Sequence, residues 1–389
     1  MFLRSVHPIT TLVLTLTISG IHCIAGPKTV LPPGNKMEHV LTIMHPGDAT
    51  AKPAPHTLVQ TLDKNGDPAA YSMWVDSVIC REEVCDVVQV QLHWDVLGRY
   101  QRYEVALGSQ LTKLDHVPFN KEDLAKLQSI LMDRDSPLKE VEKEAMTAKT
   151  SSKVTRQSAG VDGVSGATIL NLKTAVILGA GYTCYDLWHW SNGLLTDHIR
   201  DLTGKDSSKK KLQAYLASDD TDSALFAMEY MKKRRIADQA SFDAVIARSR
   251  KGHETLIKPT LAYLRETTPS DQVYYDSIVS IFSAADSKQR LLIIEALIAD
   301  TQKPVAGFYD RLCVYLPELE SYYEVHLFLK LMEKRNAASA KVAMKAAGLL
   351  KHQKFFVSRR AYWYLEKQKL SADLRKLVDA YHDKNEDRL

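Results

Sequence analysis

The sequence predicts an α+β N-terminal domain, an antiparallel hairpin or sheet with helices, followed by an all-α C-terminal domain built as a helical array. Between Tyr71 and Val105 apolar residues alternate with polar ones, which is the period of a half-buried strand. After about Asp206 helical runs follow one another between short polar breaks, and strand patterns are absent. At 389 residues the chain is long for one hydrophobic core, so we expect two or three domains.

The N-terminus has the pattern of an export signal. Arg4 precedes an apolar run from Ile9 to Ile21, and small residues follow at the cleavage positions up to Ala25. The run is too short to span a membrane. A lipid anchor on Cys23 is the alternative, although the residues ahead of it match a lipobox poorly. We therefore expect an exported, periplasmic or extracytoplasmic protein without a transmembrane span, in four segments: signal peptide 1–25, Pro- and Gly-rich linker 26–55, α+β domain 56–203 and helical domain 204–389.

The composition is that of a globular protein with little charge imbalance. Hydrophobic residues make up 45% of the chain and charged residues 25%, which are ordinary values for a soluble domain. The formal net charge of +4 is small for this length. We therefore expect no nucleic-acid partner, because such proteins usually carry a strong basic excess.

The cysteines divide into one close pair and two isolated residues. Cys80 and Cys85 bracket the polar turn 81–84, and in an oxidising compartment we expect a disulfide between them. The loop is short, so this bond contributes about 2 kcal/mol through chain entropy. A metal pair is the alternative, but no second Cys or His pair stands at zinc-finger spacing. Cys184 and Cys313 are expected to be free thiols.

A β-hairpin is predicted between residues 88 and 105. Val88, Val90, Leu92 and Trp94 alternate with polar residues, 95–98 supplies a turn, and 99–105 returns as the second strand. His93 is on the polar face of the first strand. We expect it to face solvent rather than to be catalytic.

The loop 111–119 carries an unusual density of functional groups. Asp115 and His116 either line a cofactor site or satisfy the loop backbone. Asn120 is expected to cap a helix that runs to Leu131, with Asp123 at its third position.

The segment 174–190 predicts a buried helix whose small residues, 179–181, face a neighbouring element. Four aromatic residues follow, which form either core or a surface on which a flat ring stacks: Tyr182, Tyr185, Trp188 and Trp190. Cys184 and His189 lie five residues apart, project in different directions, and lack an orienting partner. We therefore do not expect a cysteine hydrolase.

The C-terminal half resembles a HEAT-like or related α-solenoid, although its internal sequence repeat is faint. Helical runs are separated by polar breaks at 218–222, 252, 267–270, 285–286, 302–304 and 336. The basic cluster 232–235 is expected at a helix end, where cations suit the helix dipole. It forms either a solvated terminus or an anionic docking patch.

The most informative stretch is Val161-Asp-Gly-Val-Ser-Gly-Ala-Thr168. Gly163 and Gly166 predict a tight turn, and the glycine-free and proline-free residues after Thr168 predict that this threonine begins a helix. Free N–H groups and a positive dipole end make such a helix start suitable for holding an anion.

This stretch resembles the flavinylation motif of the FMN-carrying subunits of sodium-translocating NADH:quinone reductases and Rnf-type complexes. In that family a flavin transferase attaches FMN from FAD, through a phosphoester, to the last threonine of Ser-Gly-Ala-Thr. The resemblance, which covers about eight residues, implies that Thr168 carries the FMN. It also implies a recognition turn made of Asp162, Gly163, Ser165, Gly166 and Ala167. Family members often have Thr or Ser two positions later, where this chain has Leu170. A plain turn with Thr168 as a helix cap is the alternative.

The function implied is that of an exported flavoprotein, an electron carrier with FMN on Thr168 rather than a hydrolase. Its expected partners are a flavin transferase and a redox partner protein. The glycine-rich strand–turn–helix signature of a nicotinamide site is absent, so electrons would come from another protein. The alternative is a non-catalytic exported binding or scaffold module that uses its helical array for protein interaction.

Overall fold

The structure is a computed structural model that describes residues 35–48, 50–78, 87–143, 174–335, 337 and 339–389. The chain divides into two compact units, Met1–Ile199 and Arg200–Leu389. The boundary lies within a helix, Leu195–Asp206 (α3), and the predicted boundary at 203/204 lies in the same helix. An α+β unit followed by a helical unit is the order that the sequence predicts.

The first unit is built on a five-stranded antiparallel sheet whose strand order follows the chain. The strands are β1 Lys36–Ile43, β2 Ala54–Leu62, β3 Pro68–Val78, β4 Val87–Trp94 and β5 Tyr100–Val105. The predicted hairpin is confirmed as β4 and β5. Along β4 the burial alternates, and Val90, Leu92 and Trp94 are almost fully buried. The Asp95 carboxylate accepts hydrogen bonds from the backbone N–H groups of Leu97 and Arg99, which fixes the turn between the strands.

The prediction of a linker over 26–55 is wrong for 36–43, which form β1 and pair with β2 along their whole length. The strand lies at the edge of the sheet, and its inward side chains His39, Leu41 and Ile43 are only half-buried. An edge strand buries little on either face, so its apolar alternation is weak. The Pro and Gly residues around Pro46 are a stronger pattern, and they favour a linker.

Two helices cover one face of this sheet: α1 Lys121–Met132 and α2 Gly181–Asn192. The predicted cap is confirmed, because Asn120 and Asp123 form a reciprocal capping box at the start of α1. Trp94 Nε1 donates to the Ser191 carbonyl at 2.8 Å and so ties β4 to α2. Trp188 Nε1 donates to the Asp133 carbonyl at 2.7 Å, next to the end of α1.

The prediction of a helix over 174–190 is wrong in its first half. Residues 175–180 form turns, and α2 begins only at Gly181. Gly179 adopts a φ of 80°, which a right-handed helix does not allow, and its carbonyl accepts a hydrogen bond from Leu114. The prediction of an aromatic core is confirmed, since Tyr185, Trp188 and Trp190 are buried.

The second unit, in its described residues, consists of helices and short turns without strands. After α3 come α4 Lys209–Ala217, α5 Thr221–Lys233, α6 Gln239–Lys251, α7 Ile257–Thr267, α8 Asp271–Ala284, α9 Ser287–Ala299, α10 Phe308–Leu312, α11 Tyr322–Lys334, α12 Ala340–Gly348, α13 Phe355–Glu366 and α14 Ala372–Asn385. Each helix contacts the next but one. Consecutive helices therefore alternate between two rows: α5, α7, α9, α11 and α13 in one, and α4, α6, α8, α10, α12 and α14 in the other. The second unit is therefore a two-row helical array, in agreement with the predicted all-α region.

The polar breaks predicted at 218–222, 252, 267–270 and 285–286 are confirmed, because each contains or borders a helix end. Ser, or less often Asp, is the usual cap: the Ser270 and Ser321 side chains, for example, accept from the third residue of their helices. A further helix end falls at the basic cluster 232–235, before α6 begins at Gln239. Arg235 adopts a φ of 48° there without any glycine or proline to signal it.

The basic cluster 232–235 lies at the end of α5, as predicted. Arg234 donates to the carbonyl oxygens of Gly204 and Ser207, at 3.2 and 2.6 Å, and so satisfies the C-terminal end of α3. Lys232 and Lys233 pair with Glu266 and Glu229. The cluster therefore fits a helix terminus better than a docking patch.

The two isolated cysteines are free and buried, as predicted. Burial raises the pKa of Cys184 to about 12, so its thiol stays protonated at neutral pH. Within the described residues, every helix is too short or too polar to cross a lipid bilayer.

Candidate functional site

The predicted flavin turn lies outside the described residues, with Asp162, Gly163, Ser165, Gly166, Ala167 and Thr168 all in 144–173. The Cys80–Cys85 pair and the Asp115 side chain lie outside them too. We call residues 144–173 the motif segment. The described residues stop before it at Lys143 and resume after it at Thr174, so they show its two flanks. We therefore build the candidate site from these flanks.

The preceding flank is held by a buried ion pair. Lys143 Nζ lies 2.8 Å from Asp186 Oδ1 and 3.1 Å from Oδ2. Asp186 is on α2, and its side chain is 1% exposed. Burial raises the pKa of Asp186, and the Lys143 ammonium group opposes that rise. An ion pair with one fully buried partner fixes Lys143 against α2, since separation would leave a carboxylate without compensation.

Two histidines complete what we call the α2 cluster, defined as His45, Lys143, Asp186 and His189. His45 Nδ1 accepts a hydrogen bond from the Gly47 backbone at 3.2 Å, and His45 Nε2 lies 3.9 Å from Asp186. His189 Nε2 lies 3.1 Å from the Leu138 carbonyl, to which it donates. Burial, with the Lys143 charge as a smaller cause, lowers the pKa of His45 to about 4, and burial also lowers the pKa of His189. Both imidazoles are therefore neutral at pH 7.

The β1–β2 loop packs directly on α2 at this cluster. A Cβ added to Gly47 would lie 2.7 Å from the Tyr185 ring and 3.1 Å from His189, so only glycine fits at this approach. His45 and His56 both pack against the Trp190 ring, at centroid distances of 5.0 and 4.9 Å. Residues of β2 and of the β1–β2 loop thus pack against Tyr185, His189 and Trp190 of α2.

The following flank is held by the loop 111–119. Leu114 N–H donates to the Gly179 carbonyl at 2.8 Å, and a Cβ on Gly179 would lie 3.4 Å from the same nitrogen. Lys113 pairs with Asp123 at the start of α1, which anchors the loop to the helix. His116 is exposed, with a φ of 55°. The functional groups of this loop therefore position the flank.

Helix α2 has buried polar atoms that lack partners among the described residues. The buried hydroxyl oxygens of Tyr182 and Thr183 and the Trp190 Nε1 atom have no hydrogen bond there. An unsatisfied buried donor costs about 1–3 kcal/mol. These atoms are therefore positions at which the motif segment or a bound group would gain a hydrogen bond.

His93 differs from its prediction as a solvent-facing residue. Its side chain is 19% exposed, lies 3.5 Å from Glu104 and borders Arg102. Burial, followed by the Arg102 charge, lowers the pKa of His93 to about 4. His93 therefore belongs to the paired strands β4 and β5.

Within the described chain, no group of three or more His, Cys, Asp or Glu residues is arranged to hold a metal ion.

Sequence reasoning missed His45, Lys143 and Asp186. For Asp186 a signal was present, because it is the single carboxylate in the otherwise apolar and aromatic run 174–190. Lone charges on buried helices are paired in folded proteins. Its partner could not be read from the sequence, since Lys143 lies 43 residues away.

Comparison with known proteins returned no matching family model, no matching curated protein and no matching solved structure.

Proposed function

We propose that this chain is an exported flavoprotein that carries FMN covalently on Thr168 and transfers electrons outside the cytoplasm. In the attachment step the Thr168 hydroxyl oxygen attacks the FMN phosphorus of FAD. The new oxygen–phosphorus bond replaces the pyrophosphate bond, and AMP leaves as the second product. The hydroxyl proton is released to solvent or to the transferase.

The Asp162–Thr168 sequence carries this proposal, because it combines a small-residue turn with an acceptor hydroxyl. The described residues support it through the flanks of the segment. Lys143 is paired with buried Asp186, and Gly179 is bonded to Leu114. Both ends of the segment are thus held by the same α+β unit.

The residues near the flanks fit a flavin in chemical character. FMN has a flat ring with several hydrogen-bond acceptors, and the Tyr182 hydroxyl and Trp190 Nε1 are unpartnered donors among the described residues. Thr183 offers a further hydroxyl without a partner among the described residues. These residues would contribute to holding the ring.

Bound FMN would supply one- or two-electron transfer, while the protein supplies position and electrostatic environment. A covalent tether prevents an exported carrier from losing its cofactor by diffusion. The two-row helical unit, which we interpret as HEAT-like, would present the surface on which a redox partner docks.

The test is co-expression with a flavin transferase, followed by denaturation and gel fluorescence. Wild type should retain flavin fluorescence after denaturation, and Thr168→Ala should lose it while keeping its circular dichroism spectrum. Ser165→Ala is the matched control, since it removes the other hydroxyl of the turn and should retain some label. The proposal fails if Thr168→Ala stays fluorescent or if wild type never acquires flavin. In that case the binding-module function takes its place.

A further inference from the structure

The helical unit contains a cavity of about 520 Å³ that is separate from the flavin proposal. It is formed by the α9–α10 connection, residues 301–307, the first residues of α10, the end of α11 and Ser339 at the start of α12. Its volume lies within the range of roughly 300–1,000 Å³ that is usual for small-molecule sites. We call it the α10 cavity.

The wall of the α10 cavity has an excess of positive charge. Lys303, Lys334 and Arg335 line it, and Asp310 is its single carboxylate among the described lining residues. The Asp310 carboxylate accepts a hydrogen bond from Ser339 through Oδ1 and keeps its negative charge. By contrast, neither lysine has an ion pair within the described chain. Three cationic residues and one carboxylate therefore leave the described lining with a net positive charge.

Two of the residues that line this cavity carry buried hydrogen-bond donors without partners. The Tyr309 hydroxyl and Arg335 Nε are buried and lack partners among the described residues. Burial raises the pKa of Tyr309 to about 12, so the hydroxyl remains a donor at neutral pH. Arg335 Nη2 donates to the Leu297 carbonyl at 2.7 Å, which holds the guanidinium group in place. Buried donors gain free energy when they meet an acceptor.

The remaining lining is apolar. Pro304, Val305 and Ala337 contribute carbon surface between the charged groups. A ligand that matches this wall has an oxyanion at one end and a small apolar body at the other.

We propose that the α10 cavity binds a small organic oxyanion, a phosphate ester or a carboxylate on an apolar group. Lys334 and Lys303 attract the anion, and the Tyr309 hydroxyl and Arg335 donate hydrogen bonds to it. The apolar body lies against Pro304 and Val305. The flavin attachment in the first unit is not required for this binding.

The experiment titrates the full chain with phenyl phosphate and, separately, with benzoate, using isothermal calorimetry. We expect saturable binding of at least one probe, weakened by added salt because exposed lysines contribute. The stronger of the two probes identifies the anion as phosphate or carboxylate. Absence of saturable binding for both probes at millimolar concentration would overturn the proposal.

Three variants separate this site from general surface charge. Lys334→Gln should weaken binding about threefold, as expected for an exposed ion pair. Tyr309→Phe should weaken it about tenfold, since hydrogen bonds to charged groups are stronger. Tyr309→Phe should not lower the melting temperature, because the Tyr309 hydroxyl lacks a hydrogen-bond partner among the described residues. Lys330→Gln, on the same helix but outside the cavity, is the matched control and should bind as wild type does. Equal weakening by Lys330→Gln and Lys334→Gln, or unchanged binding by Tyr309→Phe, would reject the assignment.

Discussion

Removal of the Lys143 charge tests the ion pair that holds one flank of the motif segment. Lys143→Met keeps most of the side-chain length and leaves Asp186 buried without its cation. Loss of one partner of a buried pair typically costs about 3–5 kcal/mol. The Lys143 side chain is 25% exposed, so solvent compensates part of the loss, and we expect about 3 kcal/mol.

The cost should depend on pH with a definite sign. Burial raises the pKa of Asp186, and without Lys143 the rise becomes larger. The folded state then binds a proton more readily than the unfolded state, so stability lost at neutral pH returns as pH falls. Lys143→Met should therefore approach wild type in acidic buffer.

Urea unfolding followed by tryptophan fluorescence measures this effect. Four of the five tryptophans, at positions 74, 94, 188 and 190, lie in the first unit, so the signal reports mainly on it. The matched control is Lys139→Met, which changes an exposed lysine four residues earlier and should stay within about 0.5 kcal/mol of wild type. Equal stability of the two variants at pH 7.5 would refute the reasoning. The Asp186→Asn/Lys143→Met double variant should be more stable than Lys143→Met, because it lacks the unpaired carboxylate. Equal or lower stability of the double variant would also refute the reasoning.

Three further predictions follow. Burial lowers the pKa of folded His45 to about 4, so its contribution to the free energy of unfolding is present above pH 6.5 and is lost as pH falls toward 4. In urea unfolding, His45→Gln should reduce this loss of stability by up to about 3 kcal/mol. The same pH dependence in His45→Gln and wild type would contradict the prediction. In Gly204→Ala the new Cβ would lie 2.1 Å from the Tyr230 ring, so the free energy of unfolding should fall by about 2 kcal/mol or more. In Gly348→Ala the new Cβ meets nothing within 4 Å, so this control should be neutral or stabilising. Equal melting temperatures of the two variants would contradict the prediction. Peptide mapping without reductant should recover Cys80 linked to Cys85, and alkylation of both thiols in exported protein would exclude the bond.

The β4–β5 hairpin and the helical unit could be predicted because their signals are local. The alternation from Val88 to Trp94 matches the observed burial position by position. Most helix breaks have a Ser or Asp cap at the expected place. Such patterns depend on residues a few positions apart, which a single sequence contains.

The features that sequence reasoning missed depend on distant contacts. The start of α2 depends on Gly179, whose positive φ is fixed by a hydrogen bond from Leu114. β1 is a strand because β2 pairs with it, although its own side chains are only half-buried. The α2 cluster joins His45, Lys143 and Asp186 from three separate segments. No local periodicity encodes these pairings. The fold class could therefore be predicted, whereas in the candidate site only Asp186 carried a signal in the sequence.

The attachment of FMN to Thr168 is tested most directly by tandem mass spectrometry of the tryptic peptide Gln157–Lys173. This peptide contains the whole motif and three hydroxyl residues, at positions 158, 165 and 168. For exported protein made in the presence of a flavin transferase, we expect the peptide mass to increase by one FMN less one water. The fragment ions should place that increase on Thr168. An unmodified peptide, or a flavin located on Ser158 or Ser165, would contradict the assignment.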